Sequence, residues 1–176
     1  MTISRNLSLV GTNASSNGTV SITSGTSQAS TSGTSIDFTG IPSWVKKITV
    51  MFNGVSSNGS SAKLIQLGTS GGVQTTSYNS ASGYMGATSA FSSFTTGIGI
   101  NSIGAANIIH GSIIFSLQNT SDNTWVAQGT LALTDAAYNL ITAGSKTLSA
   151  LLTTIRITTV NGTDTFDAGS INILYE

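Results

Sequence analysis

Apolar and polar positions alternate with period two along most of this chain. That spacing puts side chains on opposite faces of a pleated strand and predicts half-buried β-strands. The clearest run is Trp44 to Asn53, where Val45, Ile48, Val50 and Phe52 are apolar and Lys47, Thr49, Met51 and Asn53 take the other parity. Lys46-Lys47 breaks the alternation, as a bulge or strand end does. Asn107 to Leu117 reads as a second strong strand, with Thr124 to Leu131 as its hairpin partner across the polar turn Gln118 to Asn123. Shorter strands are expected at Ile36 to Phe38, Leu64 to Leu67, Val73 to Tyr78, Leu148 to Val160 and Gly169 to Glu176. Asn58-Gly59 and Asn161-Gly162 are tight-turn signals of the kind that join antiparallel strands. The only helical spacing is Ala136, Ala137 and Leu140, enough for one turn and too short to stand alone.

Many short strands with Gly-rich turns and little or no helix predict an all-β fold, a jelly-roll-like β-sandwich, over residues 35–176. Residues 1–34 differ. Asn, Ser, Thr and Gly there surround two short alternations, Leu7 to Val10 and Thr19 to Thr23. This N-terminal arm is expected to be a flexible attachment segment, or two strands that add to a neighbour. Trp44 and Trp125 flank long strands and are expected in the core.

Composition sharpens the picture at the surface. Charged residues are 7% of the chain against 39% hydrophobic, and six basic and six acidic residues give a formal net charge of +0. Ordinary soluble proteins carry about 25% charge, so Ser, Thr, Asn and Gly must supply the polar surface here. An uncharged monomer is poorly soluble, and covering its surface with partners relieves that. Nucleic acid is not an expected partner, because only Lys46 and Lys47 are adjacent bases. Membrane insertion is not expected either, since no apolar run approaches the roughly 20 residues that span a bilayer. The start of the chain lacks the apolar stretch of a signal peptide. Without cysteine there is no disulfide and no Cys-zinc staple.

The residues that carry chemistry are few, and no catalytic residue is assigned. His110 is the single histidine, placed on a strand beside Ile109 and Gly111. A general base needs an orienting partner and a nucleophile, so a structural or interface role is expected for it. A symmetric trimer could gather three His110 side chains around an axial metal, but nothing in the sequence asks for one, and no metal or cofactor is expected. Asp164 and Asp167 are the closest acids; paired carboxylates hydrolyse glycosides or bind calcium, and they also cap turns, which is the reading adopted here. Tyr78, Tyr84, Phe91 and Phe94 cluster in a Gly- and Ser-rich middle. Aromatics exposed among small polar residues make sugar or protein contacts, and the four are candidate receptor or glycan contacts. The same residues would also serve to cover one open end of the sandwich.

Two long segments carry a resemblance. Ile36 to Ser56, built on Gly40-Ile41-Pro42-Ser43-Trp44-Val45-Lys46-Lys47, resembles a segment of tail-fibre-like and uncharacterised virion proteins of tailed bacteriophages. So does Thr158 to Glu176, with Asn161-Gly162-Thr163-Asp164-Thr165-Phe166-Asp167. Ile65-Gln66-Leu67-Gly68 and the strand at His110-Gly111 are similar too, so the likeness spans most of residues 35–176. In larger proteins of this kind the unit is C-terminal, whereas here only a short arm precedes it, too short for a fibre shaft. The resemblance implies a virion surface protein, assembled in the host cytoplasm and exposed on the particle. It would be a compact, non-enzymatic knob, a homotrimer by analogy with fibre heads, contacting a host glycan or protein. Residues 1–34 would bind other virion proteins. The alternative is a capsid decoration protein held to the shell by that arm. A polysaccharide depolymerase is a third reading, opposed by the scarcity of acids.

Overall fold

The alternating segments fold as strands in a computed structural model that describes residues 22–176. There are fourteen, and no helix among the described residues. In chain order they are β1 (Thr23–Ser24), β2 (Gln28–Ala29), β3 (Ser35–Thr39), β4 (Lys47–Ser57), β5 (Lys63–Thr69), β6 (Gly72–Val73) and β7 (Asn79–Met85). The second half gives β8 (Ser89–Phe94), β9 (Ile98–Ile100), β10 (Ile109–Asn119), β11 (Thr124–Leu133), β12 (Tyr138–Thr147), β13 (Thr154–Thr159) and β14 (Phe166–Tyr175).

Two antiparallel sheets form a sandwich. The large one runs β1-β14-β4-β10-β11-β12-β7-β8, with β2 also on β14, and the small one runs β3-β13-β5-β6, with β9 also on β5. Within this lies the strand order of a jelly roll, β1/β2-β14-β4-β10 facing β3-β13-β5-β9, as the sequence predicts. Two hairpins, β11-β12 and β7-β8, extend the large sheet beyond β10. The core between the sheets takes Ile48, Val50, Phe115 and Ile171 from the large sheet and Ile36, Phe38, Ile65 and Ile157 from the small one. Each such side chain contributes about 1.5–3 kcal/mol by leaving water.

Several sequence expectations change. The helical spacing at Ala136 to Leu140 is the turn and first residues of the β11-β12 hairpin, whose ten-residue ladder fixes the backbone as strand. Asn58-Gly59 and Asn161-Gly162 do not close hairpins. Each carries the chain from one sheet to the other, β4 to β5 and β13 to β14. The body also begins before residue 35: β1 and β2 pair with β14, and the Ser30 N–H donates to the Gly169 carbonyl at 2.9 Å. The residues from Thr23 on are thus strands that add to a neighbour, the neighbour being the chain's own last strand. The expected strand at Leu7 to Val10 lies outside the described residues. Trp125 is buried, but Trp44 is 51% exposed, since it precedes β4 in a turn and its ring rests at 5.8 Å on that of Tyr175.

Two glycines shape the sheet near His110. Gly54 on β4 and Gly169 on β14 sit at register shifts with positive φ, 69° and 87°. A Cβ on Gly169 would fall 2.3 Å from the Gly54 carbonyl oxygen, so the two backbones meet where no side chain fits.

Candidate functional site

The outer face of the large sheet follows directly from register. Residues of one parity on β4, β10, β11, β12 and β14 fill the core, and the other parity points away from it. Pairing aligns these outward residues into rows across the strands. One row runs Met51, Ser112, Thr130, Ile141, Gly83 and Phe91. The next runs Leu174, Thr49, Ile114, Gln128, Ala143 and Ala81. A third contains Ser116, Val126 and Ser145. Apolar and small uncharged side chains therefore interleave over seven strands, from β14 to β8.

The face carries almost no charge. Among the described residues its ionic groups sit at its ends, Asp167 near the start of β14 and Lys47 with Glu176, paired at 2.5 Å, at one corner, where a pair this exposed contributes little. Two shallow grooves cross it. One, of about 490 Å³, lies among Ile114, Gln128, Thr130 and Ala143, and the other, of about 250 Å³, lies among Phe91, Ile141, Ala81 and Ala143. Seven strands at about 4.8 Å spacing, over four outward rows, present on the order of 600–800 Å².

Phe91 is the prominent group of this face, 63% exposed. Its ring lies flat on the backbone of Gly83, where a Cβ would sit 2.1 Å from a ring carbon. The other three predicted contact aromatics turn inward. Tyr78 is a core residue, 3% exposed, and is corrected from contact to structure. Its hydroxyl accepts from the Leu67 N–H at 2.6 Å and donates to the Gln74 carbonyl at 3.0 Å, plugging the gap between β6 and β9 on the edge of β5. Burial pushes its phenol up to about 12. Tyr84 is half-buried and meets Tyr138 edge-to-face at 5.6 Å. Phe94 lies against Gly99, 2.1 Å from where its Cβ would stand. Three of the four thus serve packing, and Phe91 alone is presented to solvent.

His110 stands outward on β10, opposite Asn53 of β4 and Ala132 of β11. The described residues hold no group of three or more His, Cys, Asp or Glu side chains suited to a metal. Asp164 lies in the turn between β13 and β14, and Asp167 lies at the start of β14. The Asp164 carboxylate accepts from the Ser61 N–H at 3.0 Å and from Asn161 Nδ2 at 2.6 Å, and it lies against Gly59, so it ties the two inter-sheet turns together. The Asn161 and Ser61 hydrogen bonds hold its pKa below the usual carboxylate value, which suits a tie and not a proton donor. Asp167 accepts a short hydrogen bond from Ser56 Oγ.

What lies beneath this tie leaves no signal in the sequence. Lys63 points inward from the end of β5 and is fully buried, and its Nζ has no hydrogen-bond partner. Desolvation lowers its pKa, and Asp164 and Asp167 partly oppose that. Lys146, inward on β12, is also buried, but its Nζ donates to the Thr76 carbonyl at 2.9 Å and lies 5.3 Å from the Tyr78 ring centroid.

No protein-family model, no curated protein and no solved structure matches this chain.

Proposed function

We propose that this chain is a non-enzymatic structural protein of a tailed-phage particle, a compact surface knob that associates with copies of itself. The observation that carries the reading is the outer face of the large sheet. It is broad, uncharged apart from Asp167 and one self-satisfied ion pair at its ends, and studded with Ile114, Ile141, Val126 and Phe91. Its extent is close to the ~800 Å² per partner of a standard stable interface. A second copy offers the same absence of charge, so association leaves no buried ion unpaired. The particle comes from the resemblance at residues 36–56 and 158–176, and the homotrimer from analogy with fibre heads.

Sedimentation of the full-length protein at micromolar concentration tests the association, with a trimer expected; a monomer sinks this use of the face. Counting copies in purified particles tests the location. A few tens of copies or fewer at the tail fit a knob that contacts the host. Hundreds over the shell replace it with a capsid decoration protein.

A further inference from the structure

Among the described residues the sandwich is open on one side. There the edge of the large sheet, β1 and β2, stands across from the edge of the small sheet, β3, and a cleft of about 310 Å³ separates them. Ile173 and Tyr175 form its floor, and its walls include Ser24, Thr26, Gln28 and Thr39. The volume is at the lower end for small-molecule sites. We propose that this cleft binds a neutral saccharide of one or two rings.

Three observations select that ligand. The first is aromatic. Tyr175 lines the cleft, and outside the lining the Trp44 ring packs on that of Tyr175, tilted by 52° at 5.8 Å. Half of Trp44 remains uncovered, although a tryptophan is usually put to use in a core. Such rings receive the apolar C–H face of a sugar. The second is polar. The Asp37 carbonyl accepts from Gln28 Nε2 at 2.7 Å across the end of the cleft, so this residue turns its backbone away from β13. Antiparallel alternation gives Thr39 the same orientation, which leaves its N–H and C=O open to a ligand. Gln28 Oε1 and the Thr26 hydroxyl add an acceptor and a group that both donates and accepts. The third is charge. Asp37 is the only ionisable acid in the wall, and both its carboxylate oxygens are held by Arg156, at 2.7 and 2.6 Å. The cleft thus has no free charge to attract an ion.

A peptide strand fits less well. Strand addition needs a run of open edge groups, and Gln28 already occupies the middle of this short edge. The inference goes beyond the proposed function, because the cleft lies off the outer face and its ligand chemistry stands without any assumption about assembly.

The test uses full-length protein and a probe panel of glucose, galactose, mannose, N-acetylglucosamine, maltose, cellobiose and lactose. The readouts are acrylamide quenching of tryptophan emission and amide chemical shifts. Trp125 is buried, so quenching reports Trp44. At least one sugar is expected to shield Trp44 saturably and to shift the amides of residues 24–28 and 37–40. Trp44→Ala is expected to weaken that binding about tenfold, and Trp44→Phe, which keeps a ring, to weaken it less. No shielding by any sugar at about 100 mM overturns the proposal. So do shifts confined to the Phe91–Ile141 face, or larger shifts of the same amides by a Ser/Thr-rich peptide. Oligomeric state and particle position do not enter these readouts, so failure here leaves the proposed function to its own tests.

Discussion

The interior of this protein and its largest face exchange their usual contents. Two lysines are buried between the sheets, while the outer face of the large sheet carries Asp167 and one corner ion pair over seven strands. Soluble proteins ordinarily place lysine outside and leave apolar patches of only a few hundred Å² exposed. Among the described residues, the charges other than Lys46, Asp167 and that corner pair lie in the interior, the inter-sheet turns, the hairpin loops and the small sheet. The small sheet's own outer surface holds the Arg156–Asp37 pair and Gln66, whose Nε2 donates to the Thr96 carbonyl at 2.9 Å. The face poorest in charge is therefore the one on which the proposed self-association rests.

The sharpest way to break this contrast is to put a charge where it is missing. Ile141→Lys on the outer face is expected to turn the oligomer into a monomer, read by sedimentation. An unpaired ammonium buried in an interface costs about 3–5 kcal/mol. Ser35→Lys, on the outward parity of β3, is the control and is expected to leave the oligomer intact.

The reverse change removes charge from the interior. Lys63→Met is expected to be neutral or to stabilise the fold by about 1–4 kcal/mol, since the ammonium has no partner to lose. The pH dependence gives an independent check by thermal unfolding. The lowered folded pKa means that the unfolded chain, whose lysine titrates near 10.5, binds the proton more tightly. Stability contributed by this group therefore rises with pH up to about 10.5, and Lys63→Met is expected to lose that rise. Lys146 shifts in the same direction, so part of the rise persists in the single variant.

A smaller effect is expected from Tyr78→Phe, about 1–2 kcal/mol for the stranded Leu67 N–H. The phenol's folded value of about 12 exceeds its ordinary 10.0. Stability from this group is full below pH 10.0 and falls as pH approaches 12; the variant lacks that fall. The smallest effect on folding is expected for Phe91→Ala, within about 0.5 kcal/mol in the monomer, while it weakens self-association. A large loss of monomer stability there would mean that Phe91 belongs to the fold and not to the face.

Much of the fold was legible from alternation alone. Each strong run, β4, β10, β11 and β14, has one parity in the core, and many short strands with Gly-rich turns point to a sandwich or barrel, whereas the strand order is visible only in the pairing. The Gly- and Ser-rich middle was not legible, because its strands face inward with hydroxyls and not with apolar groups. Ser80 and Ser82 point to the interior of β7, where their Oγ atoms accept from the N–H groups of Gly99 and Asn101, both at 3.1 Å. Thr142 Oγ1 donates to the Gly99 carbonyl at 2.7 Å. A period-two apolar signal cannot mark such strands. The aromatics misled for a related reason. Tyr78 and Phe94 look exposed among small residues, but Gly99 makes room for the Phe94 ring and the Tyr78 hydroxyl finds backbone partners at Leu67 and Gln74. Lys63 was invisible because no sequence rule places an unpaired ammonium inside. The outer face could be seen only after register joined residues from Met51 to Leu174 in one surface.

The hydroxyls on β9 have one more consequence. A strand edge with open N–H and C=O groups is a template on which another chain can grow, and charge is the common guard against it. This chain has little charge to spend there. Ser80, Ser82 and Thr142 instead occupy the backbone groups of β9 from the side, so that edge is closed before a neighbour arrives. Growth by ladder extension is therefore blocked at this boundary.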